Sequence, residues 1–158
     1  MAFKLTPMEL LVLILSDKGY SLRKIADVLD VDESMLEDVV RELVRKGYAF
    51  EERKRKLFGS ERRLVLTREG KNALSEIKEM IKDILDSVKG MVDKGNIDGA
   101  RAFLARYVEY LPYAPLLGVA TKEYVDNLIR KMGYVPAYAP PEEVYEEEGE
   151  WASWEEEL

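Results

Sequence analysis

The sequence predicts a mainly α-helical chain with one small β-hairpin: three short helices, the hairpin, a long helix and two shorter helices. Three observations carry that reading. Capping residues and terminating glycines punctuate apolar runs at helical spacing. Residues 48–67 hold two strand-like runs around a short bend. Residues 74–91 repeat apolar side chains at alternating steps of three and four.

Taken in order, Thr6-Pro7-Met8-Glu9 reads as a capping box with proline at the first helical position. The helix it starts carries Leu10-Leu11-Val12-Leu13-Ile14-Leu15 and ends before Gly19. Six apolar residues in a row cover the whole circumference, so this helix should be buried on more than one side. Ser21 caps a second helix, Leu22–Leu29, with Ile25, Ala26 and Leu29 inward; Asp30-Val31-Asp32 makes the turn. Asp32 caps a third helix, Glu33–Lys46, closed by Gly47, with Leu36, Val39, Val40, Leu43 and Val44 on one face. The hairpin runs from Tyr48 through Arg53-Lys54-Arg55-Lys56, bends at Phe58-Gly59-Ser60 and returns to Leu66. Thr67 caps the long helix, about 68–94, and helices at 98–111 and 122–132 follow.

Composition narrows the function. With 47% hydrophobic residues the chain can build a real core. Its longest uninterrupted apolar run, Leu10–Leu15, is far short of the roughly 20 residues of a membrane span. No signal peptide is legible, and a cytoplasmic location is expected. Cysteine and histidine are both absent, which removes disulfides, thiol nucleophiles, the usual zinc sites and imidazole chemistry. No catalytic, cofactor-binding or metal-ligating residue is therefore assigned, and an enzyme is the least favoured class. A charged fraction of 35% without cysteine fits the intracellular proteins of hyperthermophiles.

The net charge of −7 hides an asymmetry. Nine acids and no base fall in residues 142–158, so residues 1–141 hold 24 bases against 22 acids and are mildly basic. The organisation expected is 1–70 for the three helices and hairpin, 71–134 for a helical region, and 135–158 for an acidic tail containing Tyr145, Trp151 and Trp154.

Three short stretches carry a resemblance. Ser21-Leu22-Arg23-Lys24-Ile25-Ala26, then Arg41-Glu42-Leu43-Val44-Arg45-Lys46-Gly47-Tyr48, then Leu66-Thr67-Arg68-Glu69-Gly70-Lys71-Asn72-Ala73-Leu74 occur in that order and spacing. They resemble the second helix, the exit of the recognition helix and the post-wing segment of MarR-like and PadR-like winged helix-turn-helix regulators. The resemblance covers residues 5–92. It implies a sequence-specific double-stranded-DNA-binding transcriptional regulator acting as a homodimer, with the third helix in the major groove and the hairpin on the flanking backbone.

The candidate DNA contacts follow from that frame. With Leu36, Val40 and Leu43 inward, Ser34, Asp38, Arg41 and Arg45 share the opposite stripe of the third helix. Arg41 and Arg45 could reach phosphates or guanine edges, and Ser34 a base or backbone; Arg23 and Lys24 on the second helix join them. Asp38, Glu37 and Glu42 suit a polyanion poorly, and the plainer reading pairs Glu37 with Arg41 and Glu42 with Lys46 on a solvated face. Within the eleven residues 53–63 of the hairpin, Arg53, Lys54, Arg55, Lys56, Arg62 and Arg63 stand against Glu61 alone. Strand alternation sends some to each face, and three or four phosphate contacts would give a salt slope of about −3 per chain.

In the long helix, Leu74, Ile77, Ile81, Ile84, Val88 and Met91 have the a/d spacing of a coiled coil and are the candidate homodimer seam; an intramolecular core stripe is the alternative. Phe103, Leu104, Tyr107, Tyr110, Leu111, Tyr113 and Tyr124 could line an effector pocket, but packing against the long helix is preferred. The acidic tail could dock on a partner protein or fold back on the basic hairpin. The second functional class is a winged-helix adaptor in a protein assembly with little or no direct DNA binding.

Overall fold

The computed structural model describes residues 3–134 and 140–145. It is mainly helical, with a two-stranded antiparallel hairpin after the first three helices: α1 (Pro7–Asp17), α2 (Leu22–Leu29), α3 (Glu37–Arg45), β1 (Ala49–Lys56), β2 (Gly59–Leu66), α4 (Arg68–Asp93), α5 (Ile97–Ala105) and α6 (Lys122–Met132). The chain divides into two compact units at Ile77/Lys78, within α4. No helix of the described residues is long and apolar enough to cross a membrane.

In the first unit the local signals act as their chemistry dictates. Glu9 N donates to Thr6 Oγ1 at 3.2 Å and Thr6 N to Glu9 Oε1 at 2.9 Å, so both halves of the capping box form. Leu10–Leu15 are all buried, as an all-round apolar helix requires. α2 is capped by Ser21, whose Oγ accepts from Lys24 N at 3.1 Å. β2 lies against α1 and α2, and α3 against α1 and β1, so the three helices and the hairpin share one core.

The third helix departs from expectation. Its first turn, Glu33–Leu36, is 3₁₀, and the α-helix runs only from Glu37 to Arg45. Asp32 makes no side-chain cap, which leaves the entry to the tighter i→i+3 bonds. Leu36, Val40 and Leu43 are buried as predicted; Val44 is exposed.

The return from hairpin to α4 explains the Leu-Thr-x-x-Gly text. Thr67 Oγ1 donates to the Gly47 carbonyl at 2.6 Å and accepts from Gly70 N at 3.1 Å, while Thr67 N donates to Tyr48 O at 3.0 Å. One residue thus caps α4 and fastens it to the loop entering β1. A Cβ on Gly70 would lie 1.9 Å from Tyr48 O, so only glycine fits this approach.

In the second unit, Leu104, Leu111 and Tyr113 are fully buried and Phe103 meets Tyr107 edge to face at 5.4 Å between ring centres. Phe103, Tyr107 and Tyr110 are half-buried and Tyr124 is exposed. The helix expected over 98–111 stops at Ala105. Beyond it the chain continues in i→i+3 bonds, Tyr107 N to Leu104 O, Tyr110 N to Tyr107 O and Tyr113 N to Tyr110 O, and Pro112, which has no N–H and restricts Leu111, prevents an α-ladder from resuming there. The start of the expected tail is docked here. Val144 is buried, Tyr145 OH donates to the Pro112 carbonyl, and Lys122 Nζ reaches Asp126 at 2.8 Å and Glu142 at 3.1 Å. Those carboxylates, Asp126 first, raise the Lys122 pKa. The expectations for Trp151, Trp154 and the acids from Glu146 onward lie outside the described residues.

The α4 stripe is core. Leu74, Ile77, Ile81, Ile84 and Val88 are buried within a single copy of the chain and Met91 is half-buried. Of the two readings of this spacing, burial favours the intramolecular one, because the stripe offers no exposed apolar seam to a second copy.

Candidate nucleic-acid interface

The hairpin is built from a fixed register: Ala49 faces Leu66, Glu51 faces Leu64, Arg53 faces Arg62 and Lys56 faces Gly59. Side chains directly opposite share a face. Arg53, Arg55 and Arg62 therefore stand on the face that buries Leu64 and Leu66, and Lys54, Lys56, Glu61 and Arg63 on the other. Leu57 and Phe58 form the tip, with Gly59 at φ +95° closing the connection. They are 92% and 93% exposed. Leaving two such side chains in water forgoes roughly 1.5–3 kcal/mol each.

The six hairpin bases separate into two sets. Arg62 is a brace: it forms a bidentate pair with Glu37 (2.6 and 3.2 Å), reaches Glu33 at 3.4 Å and hydrogen-bonds Glu51. Its guanidinium holds Glu37 below the ordinary carboxylate range, and the Arg62 pKa is itself raised, first by Glu37 and then by Glu51. Lys56 and Arg63 both engage Glu61, at 2.7 and 3.2 Å, and lower its pKa. Arg53, Lys54 and Arg55 are exposed, and among the described residues no acid pairs with them.

The brace was legible in the sequence but needed the strand register. Two residues before Leu64 on the same strand face, Arg62 must point toward the helices, where Glu33 and Glu37 sit one turn apart.

On the third helix, Ser34, Asp38, Arg41 and Arg45 are all exposed, the stripe that helical spacing implies. The surface pairs differ from those expected. Arg41 reaches Asp38 at 3.1 Å, and Arg45 reaches Glu42 through Nη2 at 2.8 Å and Nε at 3.1 Å, lowering the Glu42 pKa. Lys46 turns instead to Glu9 at 2.8 Å and the Lys4 carbonyl at 3.2 Å, tying the end of α3 to the start of α1. Exposed i,i+3 pairs are weak and break readily when a better anion arrives.

A cleft of about 500 Å³ opens between α2 and the hairpin. Ser21, Arg23, Lys24, Asp27 and Glu33 line one side, and Arg53, Lys56, Phe58, Ser60, Glu61 and Arg62 the other. Lys24 Nζ lies 4.2 Å from the centre of the Tyr20 ring, and Arg23 is exposed. Its five bases outnumber its three acids, so the cleft can accept a phosphate-bearing backbone but has no nucleophile–base pair.

No protein-family model, no curated protein and no solved structure matches this chain.

Proposed function

We propose that the first unit is a winged helix-turn-helix that binds double-stranded DNA, and that the chain acts as a transcriptional regulator. The observation that carries this reading is the set Arg53, Lys54 and Arg55, three exposed cations that no acid among the described residues pairs with, on a hairpin beside α2 and α3. Cations that are free in the protein gain most from phosphate, because no existing ion pair has to be broken first. Arg23 and the cleft-lining Lys24 extend the positive surface from the hairpin to α2. Arg41 and Arg45 reach a duplex by exchanging the weak pairs with Asp38 and Glu42 for phosphate or guanine acceptors.

A second reading, a winged-helix adaptor, is favoured by the outer face of the third helix. Arg41 and Arg45 are already matched to acids there, and Met35 and Val44 are exposed beside them. A titration of labelled duplex with the full chain, followed by fluorescence anisotropy at rising salt, separates the two. Binding that weakens linearly in log salt supports the DNA reading, and no binding at low salt supports the adaptor. A homodimer remains part of the regulator proposal only through a surface other than the buried α4 stripe.

A further inference from the structure

The DNA reading does not account for Leu57 and Phe58, which crown a basic hairpin while almost entirely exposed. We propose that these two side chains are an intercalating wedge. The hairpin enters the minor groove tip first, and Leu57 and Phe58 part a base step and bend the duplex. This inference rests on the DNA-binding reading above.

Three features support a tip-first entry. The free cations lie on both faces of the hairpin, Arg53 and Arg55 on one and Lys54 on the other. A hairpin lying flat on a duplex could use one face only. A hairpin pushed between two phosphate strands presents one face to each, Lys54 to one strand and the Arg53 face, across the cleft beside α2, to the other. The tip is narrow, because Gly59 at φ +95° lets two residues close the turn. The undistorted minor groove, about 6 Å wide, is narrower than a pair of strands, so entry requires the kink toward the major groove that parting a base step produces. Finally, a wedge must be braced. Arg62, bound to Glu33 and Glu37 and to Glu51 of the neighbouring strand, anchors the hairpin to the third helix. Apolar side chains inserted at a base step unstack it and kink DNA by about 20–90°.

A lipid surface fits the same residues less well. Lys56, the base next to the tip, is already paired with Glu61, and the free cations begin one residue further back. At roughly 3.3 Å per residue Arg55, Lys54 and Arg53 trail Leu57 by about 7, 10 and 13 Å, so Arg55 alone reaches the headgroup depth. Lys54 and Arg53 lie beyond a headgroup layer of roughly 5–7 Å, which leaves one of the three cations for a lipid surface.

The test uses the full chain and an A·T-rich duplex of about 30 base pairs carrying a donor and an acceptor dye at its ends. Anisotropy reports binding, and energy transfer reports bending. The variant is Leu57→Ser with Phe58→Ser, exposed positions whose change leaves the core untouched; unchanged circular dichroism and melting verify that. The wild type is expected to bind and raise the transfer. The variant is expected to bind within about tenfold, keep the salt slope and lose the rise in transfer, since phosphate contacts persist without the wedge. Wild-type binding without a change in transfer, or equal transfer in the variant, overturns the wedge and leaves DNA binding intact. No binding by the wild type overturns both. Phosphatidylglycerol vesicles that capture the wild type and not the variant, with no bending of DNA, overturn the wedge in favour of a membrane.

Discussion

Replacing Arg53, Lys54 and Arg55 together by alanine removes the hairpin cations that no acid neutralises among the described residues. Each phosphate contact contributes about −0.9 to the slope of log affinity against log salt, so the variant's slope is flatter by about 2.7. Over a fourfold rise in salt, from about 50 to 200 mM, the wild type should lose roughly 40-fold more affinity than the variant. The three side chains are exposed and support no core contact, so folding should be unaffected. Anisotropy with a fluorescent duplex at three or more salt concentrations measures the slope directly. Because phosphate contacts position without specifying, the loss should be the same for unrelated duplex sequences. An unchanged slope would mean that these hairpin cations do not meet phosphate.

Arg62→Met should cost about 1–2 kcal/mol by cutting the brace to Glu33, Glu37 and Glu51, read by urea unfolding. Its pH dependence has a definite sign. Glu37 has a folded pKa lowered from 4.5, so its share is present above that value and lost as pH falls through the lowered folded value. The difference between wild type and variant should therefore shrink below about pH 4.5; a gap that widens in acid would exclude this link. Gly70→Ala should destabilise by about 1–3 kcal/mol, because the new Cβ meets Tyr48 O at 1.9 Å and backbone must move. A variant as stable as the wild type would show that this approach is loose. Ile81→Ala should cost about 2–5 kcal/mol with an unfolding midpoint independent of protein concentration, as for a residue buried in one chain. A midpoint that rises with concentration would restore the α4 stripe as a dimer seam.

Much of the fold was legible because its signals are local. The Thr6–Glu9 box, the Ser21 cap and the Thr67-x-x-Gly70 turn each act within four residues and carry their hydrogen bonds with them. Helical spacing likewise placed Ser34, Asp38, Arg41 and Arg45 on one exposed stripe. What the sequence hid was tertiary. The heptad spacing of Leu74–Met91 is the same whether a second chain or the same chain covers it, and only burial distinguishes the two. The hairpin bases looked equivalent in composition, yet strand register turns Arg62 to the helices and leaves Arg53, Lys54 and Arg55 in water. Lys46 was matched by spacing to Glu42, but Glu9, distant in sequence, stands closer. The apolar residues of 103–111 keep helical spacing, yet α5 ends at Ala105, a boundary that spacing did not mark.

Amide hydrogen exchange of the full chain with and without duplex DNA locates the contact without altering a residue. Protection is predicted in the hairpin, around residues 50–60, and along the third helix at 34–45, with little change over 97–134. Protection confined to the second unit, or none at saturating duplex, would contradict DNA binding by the hairpin and the third helix.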